Sequence, residues 1–281
     1  MKITIVGLGL IGGSLALDLK RRGFASEVIG VDNNIRHQNI ATLTGLVDKI
    51  DTLENGVKES DLIIICTPVS GISSLLPKVL DMIGDESKVV ADMGSTKSEI
   101  AVAVSNHVNR RKYVAAHPMA GTEFSGPLAA MNKLFDYKHA IICDKELSGK
   151  NELQMVLNMF KVLNMKVSYM KSSAHDLHVA YVSHISHITS FSLALSVLEK
   201  EKDEENILTL AAGGFESTVR LAKSNAETWA PIFIQNSEYI TQVLDTYIDK
   251  VKLFRKYIKD SDFENLCKLM EKANEIKKIL N

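Results

Sequence analysis

The apolar positions fall into two regimes. In the first half they come as short runs separated by turns: Ile3, Ile5 and Val6; Val28 to Val31; Asp61 to Thr67; Lys88 to Asp92; Tyr113 to Ala116; and His139 to Cys143. Runs this short and this continuous suit strands covered on both faces, as in a parallel sheet. Amphipathic segments lie between them, from Leu15 to Gly23, Ile72 to Ile83 and Lys97 to Val108. Strand and helix thus alternate, which predicts an α/β layer architecture. From about Glu152 helical spacing takes over, broken by one strand-like run, Lys166 to Tyr169. Ala174 to Leu198, Asn206 to Lys223 and Trp229 to Lys259 read as long helices, and Leu266, Leu269, Met270, Ala273, Ile276 and Leu280 mark one face of a last helix. The border falls at the Ser-Gly-Lys-Asn turn, giving an α/β domain over 1–149 and an all-α domain over 150–281. The long apolar faces exceed what one small helical domain needs, so a homodimer is expected.

The first turn is the most informative. Gly7, Gly9 and Gly12 follow a strand and open a helix, and Asp32 ends the second strand 20 residues after Gly12. This is the spacing of a dinucleotide-binding βαβ unit. Gly7 permits the tight turn, Gly9 lets backbone approach a pyrophosphate, and Gly12 lets helix pack on strand. The free N–H groups of the helix start then hold the phosphates. The expected cofactor-binding set is Gly7, Gly9, Leu10, Ile11, Gly12, Asp32, Thr67 and Pro68. Asp32 can accept from both ribose hydroxyls and would repel a 2′-phosphate, which favours NAD over NADP; Arg36 softens that repulsion.

Composition narrows the setting. With 281 residues, two domains are the natural division. A hydrophobic content of 46% and a charged content of 24% are those of a soluble globular protein. A net charge of -1 gives no pull toward nucleic acid or an anionic membrane, and no apolar run reaches the length of a membrane span. Cys66, Cys143 and Cys267 are far apart and form no CxxC pair, which suits reduced thiols and a cytoplasmic setting.

A dinucleotide enzyme that oxidises an alcohol needs a base for the hydroxyl proton. His117, in a loop at a strand end, has the right chemistry, and Ser95 at the neighbouring strand end is placed to hydrogen-bond its ring. In the helical half, His184 and His187 have no acidic ligand within a turn, so a pocket lining is expected and no metal. His175 and His178 read as a solvated helix face, and Trp229 as a core anchor. Arg220 has two readings: a partner for Glu216 four residues earlier, or a guanidinium that forks onto a substrate carboxylate.

Taken together, GLGLIGGS (Gly7 to Ser14), CTPV (Cys66 to Val69), DMGSTK (Asp92 to Lys97), HPMAGTEFSG (His117 to Gly126), SHISH (Ser183 to His187) and GGFESTVRLAKS through Trp229 closely resemble the prephenate dehydrogenase family, which includes arogenate and cyclohexadienyl dehydrogenases. The resemblance covers residue 1 to about 240. It implies a Rossmann-type NAD-binding domain with a parallel sheet, followed by an all-helical dimerisation domain. The implied reaction is oxidative decarboxylation of prephenate to 4-hydroxyphenylpyruvate in tyrosine biosynthesis, with arogenate as the alternative substrate. It makes His117 similar to the family's catalytic histidine, Ser95 to its orienting serine and Arg220 to its carboxylate-binding arginine. His184, His187, Thr122 and Glu123 match positions that border the substrate. Another hydroxyacid dehydrogenase would leave the SHISH and Arg220 matches unexplained, and a non-catalytic NAD-sensing regulator would have no use for His117, Ser95 and Arg220 together.

Overall fold

The apolar run after Met1 forms β1 (Lys2–Val6), and the glycine turn leads into α1 (Leu10–Arg21). Then follow β2 (Glu27–Val31), α2 (Ile35–Leu43), β3 (Lys49–Ile50), α3 (Leu53–Glu59), β4 (Leu62–Ile65), α4 (Val69–Met82), β5 (Val89–Asp92), α5 (Ser98–Ala103), β6 (Tyr113–Pro118), β7 (His139–Cys143), α6 (Lys150–Val162) and β8 (Lys166–Met170). This is a computed structural model, and it describes residues 1–84, 86–202, 204 and 207–279.

The eight strands form one sheet in the order β3-β2-β1-β4-β5-β6-β7-β8. Alternate residues of β4 face opposite layers: Leu62 and Ile64 pack with α1 and α6, whereas Ile63 and Ile65 pack with α4. That two-sided burial is why the strand reads as a continuous apolar run. The sheet is parallel except where β7 runs against β6. Residues 119–138 between these strands contain only a short 3-10 turn, Pro127–Ala129, and no crossover helix, so an antiparallel return is the connection open to them. The sheet also runs past the expected border at 149/150. Helix α6 is a crossover that brings β8 parallel to β7, so the strand-like run assigned to the helical half is an edge of the sheet.

The strand order reverses between β1 and β4, and ligands of open α/β sheets lie at such a switch, beyond the carboxyl ends of the strands. Gly7, Asp32, Thr67, Ser95 and His117 all follow or close strands at that end.

After β8 come α7 (Ser172–Val179), a π-helical turn (Ala180–His184) and α8 (Ile185–Glu201) as one continuous rod. The stretch expected as one helix to Lys223 is broken. Asn206 and Leu280 lie outside the described residues. From 208 the chain makes a 3-10 turn (Leu208–Leu210), α9 (Gly213–Val219), a second 3-10 turn (Arg220–Lys223) and α10 (Ala226–Gln235). The Asn225 carboxamide caps α10 by accepting the Thr228 N–H at 3.0 Å. The expected single helix over 229–259 is interrupted at Asn236, whose backbone leaves the helical region. Residues Met1–Asn236 form one compact unit and Ser237–Asn281 a second. The second unit consists of α11 (Ser237–Lys259), α12 (Phe263–Ala273) and a short 3-10 turn, and it exposes Val251, Ile258 and Met270.

Two glycines of the first turn differ in what surrounds them. A Cβ on Gly12 would lie 1.9 Å from the Gly7 carbonyl oxygen, whereas one on Gly9 would meet nothing within 4 Å. Gly12→Ala is therefore expected to cost about 1–3 kcal/mol by overpacking against backbone, and Gly9→Ala to leave the melting temperature unchanged. Thermal melts of the two variants check this.

Candidate active site

Gly7 sits at φ +96° and donates to the Val31 carbonyl at 2.8 Å, which closes the turn after β1. A Cβ there would fall 2.7 Å from the Cys66 carbonyl carbon, so only glycine lets the β1 and β4 loops touch. Gly9 begins α1 with no side-chain cap, leaving the helix N–H groups and the open space above them free. Leu10 and Ile11 are half-buried and pack on the core. The carboxylate of Asp32 is fixed by two backbone donors, Leu8 N–H and Asn34 N–H, each at 2.8 Å, with His37 Nδ1 at 3.3 Å. Across the switch point, the Thr67 hydroxyl is buried with no partner among the described residues, and exposed Pro68 precedes α4. An open helix start, a fixed acidic residue and an unpartnered hydroxyl at one switch point fit a bound dinucleotide.

His117, near the end of β6, is 9% exposed, and its Nδ1 lies 2.8 Å from His175 Nε2. His175 Nδ1 lies 2.7 Å from Asp176 Oδ1. The same carboxylate accepts the Lys97 N–H on Oδ1 and the Ser98 N–H on Oδ2, both at 2.8 Å, which anchors α7 to the loop after β5. The Lys97 ammonium is itself wholly buried and pairs with Asp92, which also accepts the Tyr113 hydroxyl at 2.6 Å. Burial first, then the neighbouring His175 and Lys97, holds His117 well below the ordinary imidazole range, so the ring is neutral at pH 7. Burial works against the charge of Asp176, but the bonds from His175 and Ser98 outweigh it and keep the carboxyl below its usual range.

The helical segments bring in the rest. His184 is buried, its Nδ1 accepts from Asn236 Nδ2 at 3.1 Å, and burial pushes it down to about 4. His187 donates Nδ1–H to the Ser183 carbonyl at 3.1 Å and stacks on Trp229 with ring centroids 3.3 Å apart. Trp229 also meets His184 edge-on at 6.0 Å, so it is more than a core anchor. Arg220 Nη1 donates to Glu123 Oε2 at 3.0 Å, joining the loop after β6 to the turn after α9. Thr122, next in that loop, accepts the Phe124 N–H at 3.2 Å. Glu123, Phe124, Leu128, Met131, Lys223 and Asn225 help line a cavity of about 620 Å³ beside this ion pair.

Three expectations change. The place assigned to Ser95 beside the His117 ring belongs to His175, and Ser95 is half-buried with no hydrogen bond to that ring among the described residues. His175 is fully buried, not part of a solvated face; only His178 is exposed. Glu216 approaches Lys223, not Arg220, whose partner comes from 97 residues earlier. His175 and Asp176 are thus the residues beside His117 that sequence reasoning missed. Their one signal in the sequence is an acidic residue directly after a histidine. Among the described residues no group of side chains is arranged to hold a metal, and no helix is long and apolar enough to cross a membrane.

Residues 15–169 match the profile of the prephenate dehydrogenase nucleotide-binding domain, and residues 171–272 match that of the prephenate dehydrogenase dimerization domain. Prephenate dehydrogenase of Bacillus subtilis is 31% identical over 97% of this chain and 74% of its own length. The chain belongs to the prephenate dehydrogenase family. Among solved structures, that of Aquifex aeolicus prephenate dehydrogenase in complex with hydroxyphenyl propionate and NAD+ is similar with a TM-score of 0.89. Its identity is 26%, covering 100% of this chain and 98% of that one. Synechocystis arogenate dehydrogenase is similar with a TM-score of 0.78, also at 26% identity and with full coverage of both chains. The family is one of dehydrogenases, and the boundary between its two domain profiles falls after β8, where the sheet of this chain ends.

Four buried histidines, His117, His175, His184 and His187, are all held below the ordinary value of 6.5. Between that value and the folded ones the unfolded chain binds protons that the native site refuses, so stability falls as pH drops from 6.5 toward 4. Each neutral histidine adds at most ~1.4 kcal/mol per pH unit to that slope. Urea midpoints at pH 7, 6 and 5 should decrease in order; equal midpoints would mean that these rings charge freely in the native state.

Proposed function

We propose that this chain is an NAD-dependent, cytoplasmic, homodimeric prephenate dehydrogenase that oxidatively decarboxylates prephenate to 4-hydroxyphenylpyruvate. The observation that carries the reading is a buried, neutral His117 at the carboxyl end of β6, with His184 near enough to help keep it uncharged. NAD, when bound, supplies the acceptor for the ring hydride. Gly7, Gly9, Gly12, Asp32 and Thr67 would hold it. His117 takes the proton of the substrate hydroxyl through its free nitrogen, as a general base positioned by the fold. Loss of the ring carboxylate as CO2 leaves an aromatic ring, so the protein needs mainly to orient the substrate and accept one proton. Arg220 is half-exposed, and a substrate carboxylate can take the place of Glu123 on its guanidinium. His184, with Nδ1 accepting from Asn236, presents Nε2–H as a neutral donor.

A second reading, arogenate as substrate, is favoured by one feature: Glu123 beside Arg220 offers a carboxylate that can pair with an ammonium on the side chain. Formation of NADH with prephenate and with arogenate, each at saturating NAD, separates the two. A higher kcat/KM for arogenate would replace the first reading with the second, and turnover of neither would remove both.

His117→Asn is expected to lower kcat by about 10²- to 10⁴-fold, because the amide can hydrogen-bond the hydroxyl but cannot take its proton. In the unaltered protein kcat/KM should be level near neutrality and fall on the acid side with a midpoint below 6.5, since burial first and His175 second depress the His117 ring. A variant within a few-fold of wild type would place the base elsewhere. Arg220→Ala should raise KM for the substrate by the equivalent of roughly 2–5 kcal/mol, with Arg220→Lys recovering only part for want of the two-point fork. An unaltered KM in both arginine variants would end the carboxylate role.

A further inference from the structure

We propose that His175, backed by Asp176, is a positioning residue that fixes which nitrogen of His117 carries the proton and leaves Nε2 as the free lone pair. The inference rests on the reading of His117 as the base. Its physical basis is the direction of a hydrogen-bond chain that can run only one way. An ionised carboxylate accepts and never donates. Asp176 has its two oxygens engaged by the Lys97 and Ser98 backbone N–H groups, which can only donate, and by His175 Nδ1. His175 Nδ1 must therefore carry a hydrogen, and in the neutral ring that leaves Nε2 as an acceptor. The atom facing it at 2.8 Å, His117 Nδ1, must then be the donor. Neutral His117 consequently has its lone pair on Nε2. That atom bonds to no protein group among the described residues and is not among the sealed unpartnered atoms, so it is open to a hydroxyl in the cleft.

The arrangement also accounts for why a histidine at position 175 is wholly buried. The two rings meet edge-on with centroids 5.0 Å apart, so His175 holds the orientation of its neighbour as well as its tautomer. A serine hydroxyl in the same place would rotate to donate or accept and would leave the tautomer open. The carboxylate acts on His117 only through His175.

The test is nitrogen NMR on protein labelled with 15N-histidine, together with turnover. In the wild type at pH 7, His117 is expected to show a protonated Nδ1 and an unprotonated Nε2. His175→Phe removes the acceptor and should mix the tautomers and lower kcat by about 10²-fold, with NAD affinity unchanged. His175→Gln, whose amide oxygen can accept at the position of Nε2, should recover most of both signals. Asp176→Asn sets an NH2 group against the Lys97 or Ser98 N–H and loosens the hold on His175 Nδ1–H, so it should mix the His117 tautomers and lower kcat by roughly 10²- to 10⁴-fold. The proposal is overturned if wild-type His117 carries its proton on Nε2, or if His175→Phe keeps both the wild-type tautomer and kcat within a few-fold. The nitrogen signals report the tautomer whether or not His117 is the base, and the His117→Asn assay reports the base alone, so the two claims fail separately.

Discussion

A carboxylate removed from water needs donors, and Asp176 finds them in two backbone N–H groups of the loop after β5 and in the ring of His175. That contact ties the middle of α7 to the segment after β5. It holds α7 against the sheet, places His175 beside His117 and sets the line along which the rod continues into α8. In energy it is close to neutral. Three hydrogen bonds to a charge contribute about 1.5–3 kcal/mol each, and burying the charge costs several kcal/mol in return. What it contributes is position: the donors that satisfy the carboxylate come from the segment after β5 and from His175.

The same low-polarity setting shapes the charges around it. Lys97 and Asp92 neutralise each other inside the protein, with the Tyr113 hydroxyl on the remaining carboxylate oxygen. The ammonium adds to the burial that keeps His117 and His175 uncharged. Cys143, close to this pair, is pushed up to about 12 chiefly by burial and stays an inert thiol. On the proposed reading the substrate is an anion, and four neutral histidines cannot offset its charge. Arg220 is half-exposed and paired with Glu123, which lines the cavity.

Much of this was legible in the chain. Short apolar runs, the three glycines and Asp32 are local signals, and each became the strand, turn or strand end it predicts. The parts that were not legible depend on partners distant in sequence. β3 is two residues long and carries no run of its own. β8 reads as an isolated strand because its partner, β7, lies beyond α6. Arg220 has an acidic residue at helical spacing, yet the backbone leaves the helical region at Val219 and a loop 97 residues earlier supplies the pair. His175 and His178 share a spacing that suits a solvated face, and only the position of Lys97 and Ser98 shows that one of them is inside.

The π-helical turn explains why two histidines nine positions apart can serve one cleft. In an unbroken α-helix nine residues span two and a half turns, which would put His175 and His184 on opposite faces. A wider turn over Ala180–His184 takes up about one residue of that phase and swings His184 toward the side of His175. There it meets Asn236, whose side-chain amide donates both to the Asp176 carbonyl and to His184 Nδ1. The amide has two hydrogens, and both are spent, so His184 is held with its proton on Nε2. Asp176 therefore orients two rings by separate routes. Its carboxylate acts through His175 on His117, and its carbonyl acts through Asn236 on His184.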